Sequence, residues 1–199
     1  MKLIPALAAG TATLALVALP SAAQAVELTA ENDASGTTHI ASTNSDIELK
    51  PTTLTTTVDM TTSEITGHLP LVSTQTEFKV LGFVPVSATV NFDEAAPVTG
   101  KLGRGRVDTT ASYYIRLSNV KIAGVPTYVT NHCQTKKPVT IAASTPEGGT
   151  FNLNDGGPLT GEYTIGDFEH CFINAPLINA IVPGSGNTVD IDVSNGRLG

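Results

Sequence analysis

Phe78-Lys79-Val80-Leu81-Gly82-Phe83-Val84-Pro85-Val86-Ser87-Ala88-Thr89-Val90-Asn91-Phe92 is the stretch on which the fold turns. Its even positions are apolar or glycine throughout, while Glu77, Lys79, Ser87, Thr89 and Asn91 hold the other register. Period two is the pleat of a half-buried strand, one face in the core and one in water. Pro85 cannot donate to a ladder, so the run reads as two strands with an edge or bend between them.

The same alternation recurs outward in both directions. It appears at Leu54, Thr56, Val58 and Met60, at Ile65, Gly67 and Leu69, and at Tyr113, Ile115 and Leu117. Later runs are Val139, Ile141 and Ala143, then Tyr163 and Ile165, then Val189, Ile191 and Val193. After Leu117 the apolar register moves to Val120 and Ile122, which predicts a bulge near Ser118-Asn119. Glycine turns separate the runs, for example Gly103-Arg104-Gly105, Gly148-Gly149 and Gly156-Gly157. Many strands spaced by turns mean a sandwich or a barrel. The expectation taken forward is all-β: a single antiparallel β-sandwich, Ig-like or jelly-roll-like. Pro176 to Val182, opened by proline and stopped by Pro183-Gly184, is the best helical candidate.

The N-terminus reads as a secretory leader. Lys2 precedes a small-residue apolar stretch ending at Leu19, Pro20 breaks it, and Ala23-Gln24-Ala25 supplies a small-x-small cleavage pattern. The expected organisation is therefore a signal peptide at 1–25, a flexible arm or first edge strand at 26–36, and the β domain at 37–199. With no cysteine after the cleavage region and no hydrophobic C-terminal tail, neither a lipid attachment nor a transmembrane anchor in the mature chain is expected. The expected location is secreted and extracellular, free or associated with the cell wall.

Cys133 and Cys171 are the two cysteines of the chain. Export makes their disulfide the expected state. Each follows a histidine, His132 and His170, so a Cys2His2 zinc site is the competing reading. Adjacent strand residues point to opposite faces and an oxidising compartment removes thiolates, which favours the disulfide.

A net charge of −7 makes nucleic acid a poor partner. The basic residues nonetheless gather in one segment, Lys101, Arg104, Arg106, Arg116, Lys121, Lys136 and Lys137, with Asp108 the only acid among them. On one face they would bind an anionic envelope polymer, lipid head groups or another surface protein. In antiparallel pairing they would instead lie opposite acids and cancel. No cofactor or metal is implied. Asp190 and Asp192 share a strand face, better read as solvated than as a calcium site. Gly184-Ser185-Gly186 lacks the nucleophile-elbow spacing, and Ser118-x-x-Lys121 falls in a strand rather than at a helix start. Histidine chemistry would need His39, His68, His132 or His170 to meet a partner from another strand.

The run Leu81 to Val90, with Pro97-Val98-Thr99-Gly100 and with Leu159-Thr160-Gly161-Glu162-Tyr163-Thr164-Ile165 ahead of Cys171, resembles secreted β-rich proteins of actinobacteria. That resemblance implies a secreted sandwich with a paired disulfide and carries over no catalytic residue. The functional expectation is a secreted or envelope-associated non-enzymatic binding or structural module. Two alternatives stand beside it: an envelope polymer or ester hydrolase built around a histidine, and a small lipid carrier. The carrier requires a hollow of about 300 Å³ or more, lined by residues such as Phe78, Phe92 and Ile115.

Overall fold

The computed structural model describes residues 26–80 and 83–199; the leader expected at 1–25 lies outside them. In chain order the strands are β1 (Glu27–Ile40), β2 (Ser45–Asp59), β3 (Glu64–His68), β4 (Thr74–Val80), β5 (Val84–Leu102) and β6 (Val107–Ile122). There follow β7 (Val125–Pro126), β8 (Gln134–Thr135), β9 (Val139–Ser144), β10 (Gly157–Ile165), β11 (Phe168–Glu169), a 3₁₀ turn (Phe172–Asn174), α1 (Ala175–Ile181) and β12 (Gly184–Leu198).

The founding stretch forms β4 and β5, antiparallel neighbours with Phe78 opposite Val86 and Val80 opposite Val84. The break between them falls before Val84 rather than at Pro85, which sits at the start of β5 opposite Lys79. Val86, Ala88 and Val90 are buried, as the alternation requires. The predicted bulge is present: β5 loses register with β6 between Ser87 and Thr89, and Asn119 takes a φ of 51°. Asparagine tolerates that left-handed conformation better than most side chains. The helix is present too, with Pro176 in its first turn, where no amide partner is lost.

The sandwich expectation is overturned. Strands β1, β2, β3, β5, β6, β9, β10 and β12 pair in a ring, β12 returning to β1, and so close an 8-stranded barrel. Alternation cannot distinguish the two folds, because both bury one face of every strand. Length does the work here: β5 has 19 residues and β6 has 16, long enough to coil around a lumen. Register shifts in β5 at Ser87/Thr89, Glu94/Ala96 and Ala96/Thr99 supply the extra twist that closure needs.

Residues 27–36, expected as a loose arm or an edge, are instead an interior part of the ring. They pair with β12 on one side and β2 on the other. Gly36 is required there, since a Cβ would lie 2.0 Å from the Asp190 carbonyl oxygen.

The closed ring is narrow at one place. β3 joins β2 to β5 only along Thr55–Val58. Beyond His68 the chain crosses and β4 takes the adjacent position, but its ladder is with β5 alone. The edge of β2 from Ser45 to Leu54 therefore faces β4 without backbone pairing. Beside this seam β2 is tied to the link between β3 and β4: Lys50 Nζ donates to the Ser73 carbonyl at 3.1 Å and Thr52 Oγ1 to the Pro70 carbonyl at 2.7 Å.

The core follows the barrel axis. One cluster, around Val58, Val107, Phe151 and Leu159, fills the end where β5 turns into β6. The other, around Leu117, Phe168 and Ile178, fills the opposite end beneath α1. The helix closes that end: Ile178 is buried, and the Asn179 side chain both accepts from and donates to the Phe168 backbone, at 2.7 and 3.0 Å. The disulfide Cys133–Cys171 anchors the same cap, joining the chain before β8 to the start of the 3₁₀ turn.

Candidate functional site

The lumen is not filled. Two voids of about 60 and 70 Å³ lie in the barrel and share Thr38, Phe92, Ile115 and Tyr163 as common wall. The first extends among Leu49, Leu69, Ala111 and Ala143; the second runs under α1 to Ile178 and Val182. Each is several times the roughly 10–15 Å³ that one water occupies. Every described residue lining them is uncharged, and most are aliphatic or aromatic. Neither void reaches the 300 Å³ hollow expected of a lipid carrier. Of the residues named for it, Phe92 and Ile115 line both voids and Phe78 lines only the second.

The shared wall carries a paired polar group. Thr38 Oγ1 donates to the Thr188 carbonyl at 2.7 Å, so the Tyr163 hydroxyl must donate to Thr38 Oγ1, 2.6 Å away. Nearby, Tyr113 is 2 % exposed and donates to the Leu69 carbonyl at 2.8 Å. Burial raises both phenols above the usual tyrosine range, with the Glu94 carboxylate adding to the effect at Tyr113. An unfolded tyrosine ionises near pH 10. A raised folded-state value means their contribution is complete below pH 10 and is lost as pH climbs above it. In an alkaline titration followed at 295 nm, Tyr113 and Tyr163 should ionise only together with loss of the far-ultraviolet β signal. A smooth titration of all four tyrosines in the folded protein would contradict this.

The disulfide is formed as expected, and among the described residues no three His, Cys, Asp or Glu side chains cluster to hold a metal. His132 and His170 border an open recess of about 530 Å³ beside the bridge, together with Thr130, Gln134, Glu169 and Phe172. It contains a histidine and a carboxylate, His170 Nε2 and Glu169 Oε1 being 3.6 Å apart. The one hydroxyl lining it is already committed: Thr130 Oγ1 donates to the His170 carbonyl and accepts from the His132 amide. Among the described residues no unengaged hydroxyl lines the recess. His39 and His68 sit elsewhere, on the exposed outer wall, against Asp46 at 2.7 Å and Glu94 at 3.2 Å.

The seven basic residues do not converge. Lys101, Arg104 and Arg106 flank the turn joining β5 to β6, whereas Lys121 lies near the far end of the 16-residue β6. Arg116 is bound to Asp93 at 2.9 Å, and Lys136 lies 3.7 Å from Asp167. Arg106 spends a donor on the Thr145 carbonyl, and Lys101 has Glu64 and Asp108 as register neighbours on its two sides. Lys137 is exposed beside Lys136. Acids thus lie beside three of the seven, Lys101, Arg116 and Lys136.

The apolar loops mostly cover the barrel. Leu69 is buried and Leu71 packs against both core clusters, while Phe83, Phe172 and Ile173 remain exposed at the α1 end. Comparison with protein-family models, curated proteins and solved structures gave no match. Among the described residues no helix is long and apolar enough to cross a membrane.

The fold and its voids define a class: a closed antiparallel barrel with an apolar, uncharged, underfilled lumen. Sequence reasoning named Phe92 and Ile115 but missed Thr38 and Tyr163, because a threonine on a strand carries no mark of facing a void.

Proposed function

We propose that this chain is a non-enzymatic binding module that carries a small neutral hydrophobe in its lumen, and that it acts outside the cytoplasm. The observation that carries the reading is the pair of adjacent voids. Protein interiors pack to crystal-like density, with few voids larger than a water. At roughly 24 cal/mol per Å³, each void forgoes about 1.5 kcal/mol of packing. Larger side chains at Ala88, Ala111 or Ala143 would recover it, and a bound ligand would do the same. An apolar cavity of about 150 Å³ stays dry and accepts benzene, and the two voids taken together approach that size. Rotation of Phe92, which is only half-buried, would join the two spaces into one. The leader-like N-terminus and the disulfide support an exported carrier.

The test is benzene and 1-hexanol binding followed by methyl NMR. Shifts should concentrate at Ile115, Val90 and Val189. Ala88→Leu should abolish them in the void beneath α1 and stabilise the protein by about 1 kcal/mol, as cavity filling commonly does. Absence of shifts at saturating benzene and hexanol would sink the proposal.

A further inference from the structure

We infer that the ligand of the lumen carries one neutral hydrogen-bonding group, an alcohol or a carbonyl, and that Thr76 receives it beside the β2–β4 seam. This rests on the lumen-binding reading above. Thr76 is 7 % exposed and lines the void beneath α1. Its Oγ1 is the buried side-chain polar atom that lacks a hydrogen-bond partner among the described residues. The neighbouring hydroxyls are already engaged, Thr43 with Ser45 at 2.7 Å and Thr38 with Tyr163 and Thr188. A buried hydroxyl without a partner is unfavourable, and valine, the same shape, would remove the penalty. Threonine at this position is explained if a ligand atom completes it.

Charge narrows the class. No carboxylate, ammonium or guanidinium lines either void among the described residues, so an ionised ligand would lose its hydration with nothing to replace it. The ligand is therefore an alcohol, ketone, aldehyde or ester of small size, not a fatty acid anion or an amine.

The seam fixes where the polar end lies. Thr43, Ser45 and Ile47 come to the void from the β1–β2 turn and β2, and Thr76 and Phe78 come from β4. No backbone ladder joins β2 to β4 there, and the hydrogen bonds of Lys50 and Thr52 go to Ser73 and Pro70 in the link ahead of β4. A ligand entering by this route passes Thr76 as it goes in. Its apolar part then points toward Phe92 and the first void, among Leu49, Leu69 and Ala111.

The experiment uses the oxidised protein with residues 26–199 and three probes: n-hexane, 1-hexanol and hexanoate at neutral pH. Affinities are measured for the wild type, Thr76→Val and Thr76→Ser. The expected result is that Thr76→Val weakens hexanol roughly five-fold, the size of one neutral hydrogen bond, and leaves hexane unchanged or tighter. Thr76→Ser should retain the hexanol affinity, and hexanoate should bind at least ten-fold more weakly than hexanol. If hexane and hexanol bind but their ratio is the same in Thr76→Val, the lumen is a binding site and Thr76 is not its polar contact. Hexanoate binding as tightly as hexanol overturns the neutral-ligand assignment. If neither hexane nor hexanol binds, the lumen-binding reading falls and this inference with it.

Discussion

Replacing both cysteines, as Cys133→Ala with Cys171→Ala, should lower the stability of the protein by about 4 kcal/mol. The bridge spans a sequence separation of 38, and closing a loop of that length removes about this much freedom from the unfolded chain. For a domain of this size the melting temperature should fall by roughly 8–16 °C. The effect has a local part as well. Cys133 and Cys171 are both fully buried, and the bridge precedes the 3₁₀ turn and α1 directly. Without it, the cap depends on Asn179 holding the Phe168 backbone and on Asn174 donating to the Tyr128 carbonyl. Hydrogen exchange should therefore accelerate in α1 more than in β1 or β12. Calorimetry gives the first quantity and exchange mass spectrometry the second. A melting shift under about 3 °C would show that neither the loop closure nor the cap depends on the bridge.

Asn187→Ala should be nearly as damaging, at roughly 3–4 kcal/mol, through a different cause. Asn187 is fully buried in β12, yet its side chain meets three backbone groups from three places in the chain. Oδ1 accepts the Ala41 amide at 3.0 Å, while Nδ2 donates to the carbonyls of Tyr163 at 3.2 Å and Gly184 at 2.9 Å. The β1–β2 turn, β10 and the start of β12 are thereby joined at one end of the barrel. Alanine removes the partner of all three backbone groups. The Tyr163 carbonyl, whose bond is buried, then costs more than the bond itself contributes, while the other two are partly buried. The expected fall in melting temperature is roughly 6–16 °C. Asn187→Asp should also fail, because it cannot donate and would place a charge in the same spot. Melting within 2 °C of wild type for Asn187→Ala would mean that water replaces the amide.

Neither effect would be anticipated from charge. Exposed ion pairs contribute little because solvent screens them. Arg116–Asp93 and Lys136–Asp167 are of this kind, so neutralising the basic segment should change stability far less than either substitution above. The pattern also bears on function. The basic segment was conspicuous because it is contiguous in sequence, whereas the lumen residues Thr38, Thr76, Phe92 and Tyr163 are scattered over four strands.

What the sequence determined by itself is local. Alternation at Phe78–Phe92, Leu54–Val58 and Val189–Val193 settled that the chain is strands with one buried face each, although Met60, read into the second run, lies exposed in the turn after β2. A register step after Leu117 located the bulge at Asn119, and Pro176 with Pro183-Gly184 bounded α1. Two cysteines in an exported-looking chain announced the bridge. Each signal lives within a few residues, where propensity and period act directly. The tertiary structure decided everything that depends on how distant strands meet. β5 pairs with β6, and β12 with β1, by non-local register, and that pairing closes a barrel where the same alternation would also suit two facing sheets. Residues 27–36 look polar and loose in sequence, but two neighbours complete their ladders and draw them into the wall. The voids, the unladdered β2–β4 seam and the unpartnered Thr76 hydroxyl are what remains after side chains from all strands have packed, so no single stretch of sequence could display them.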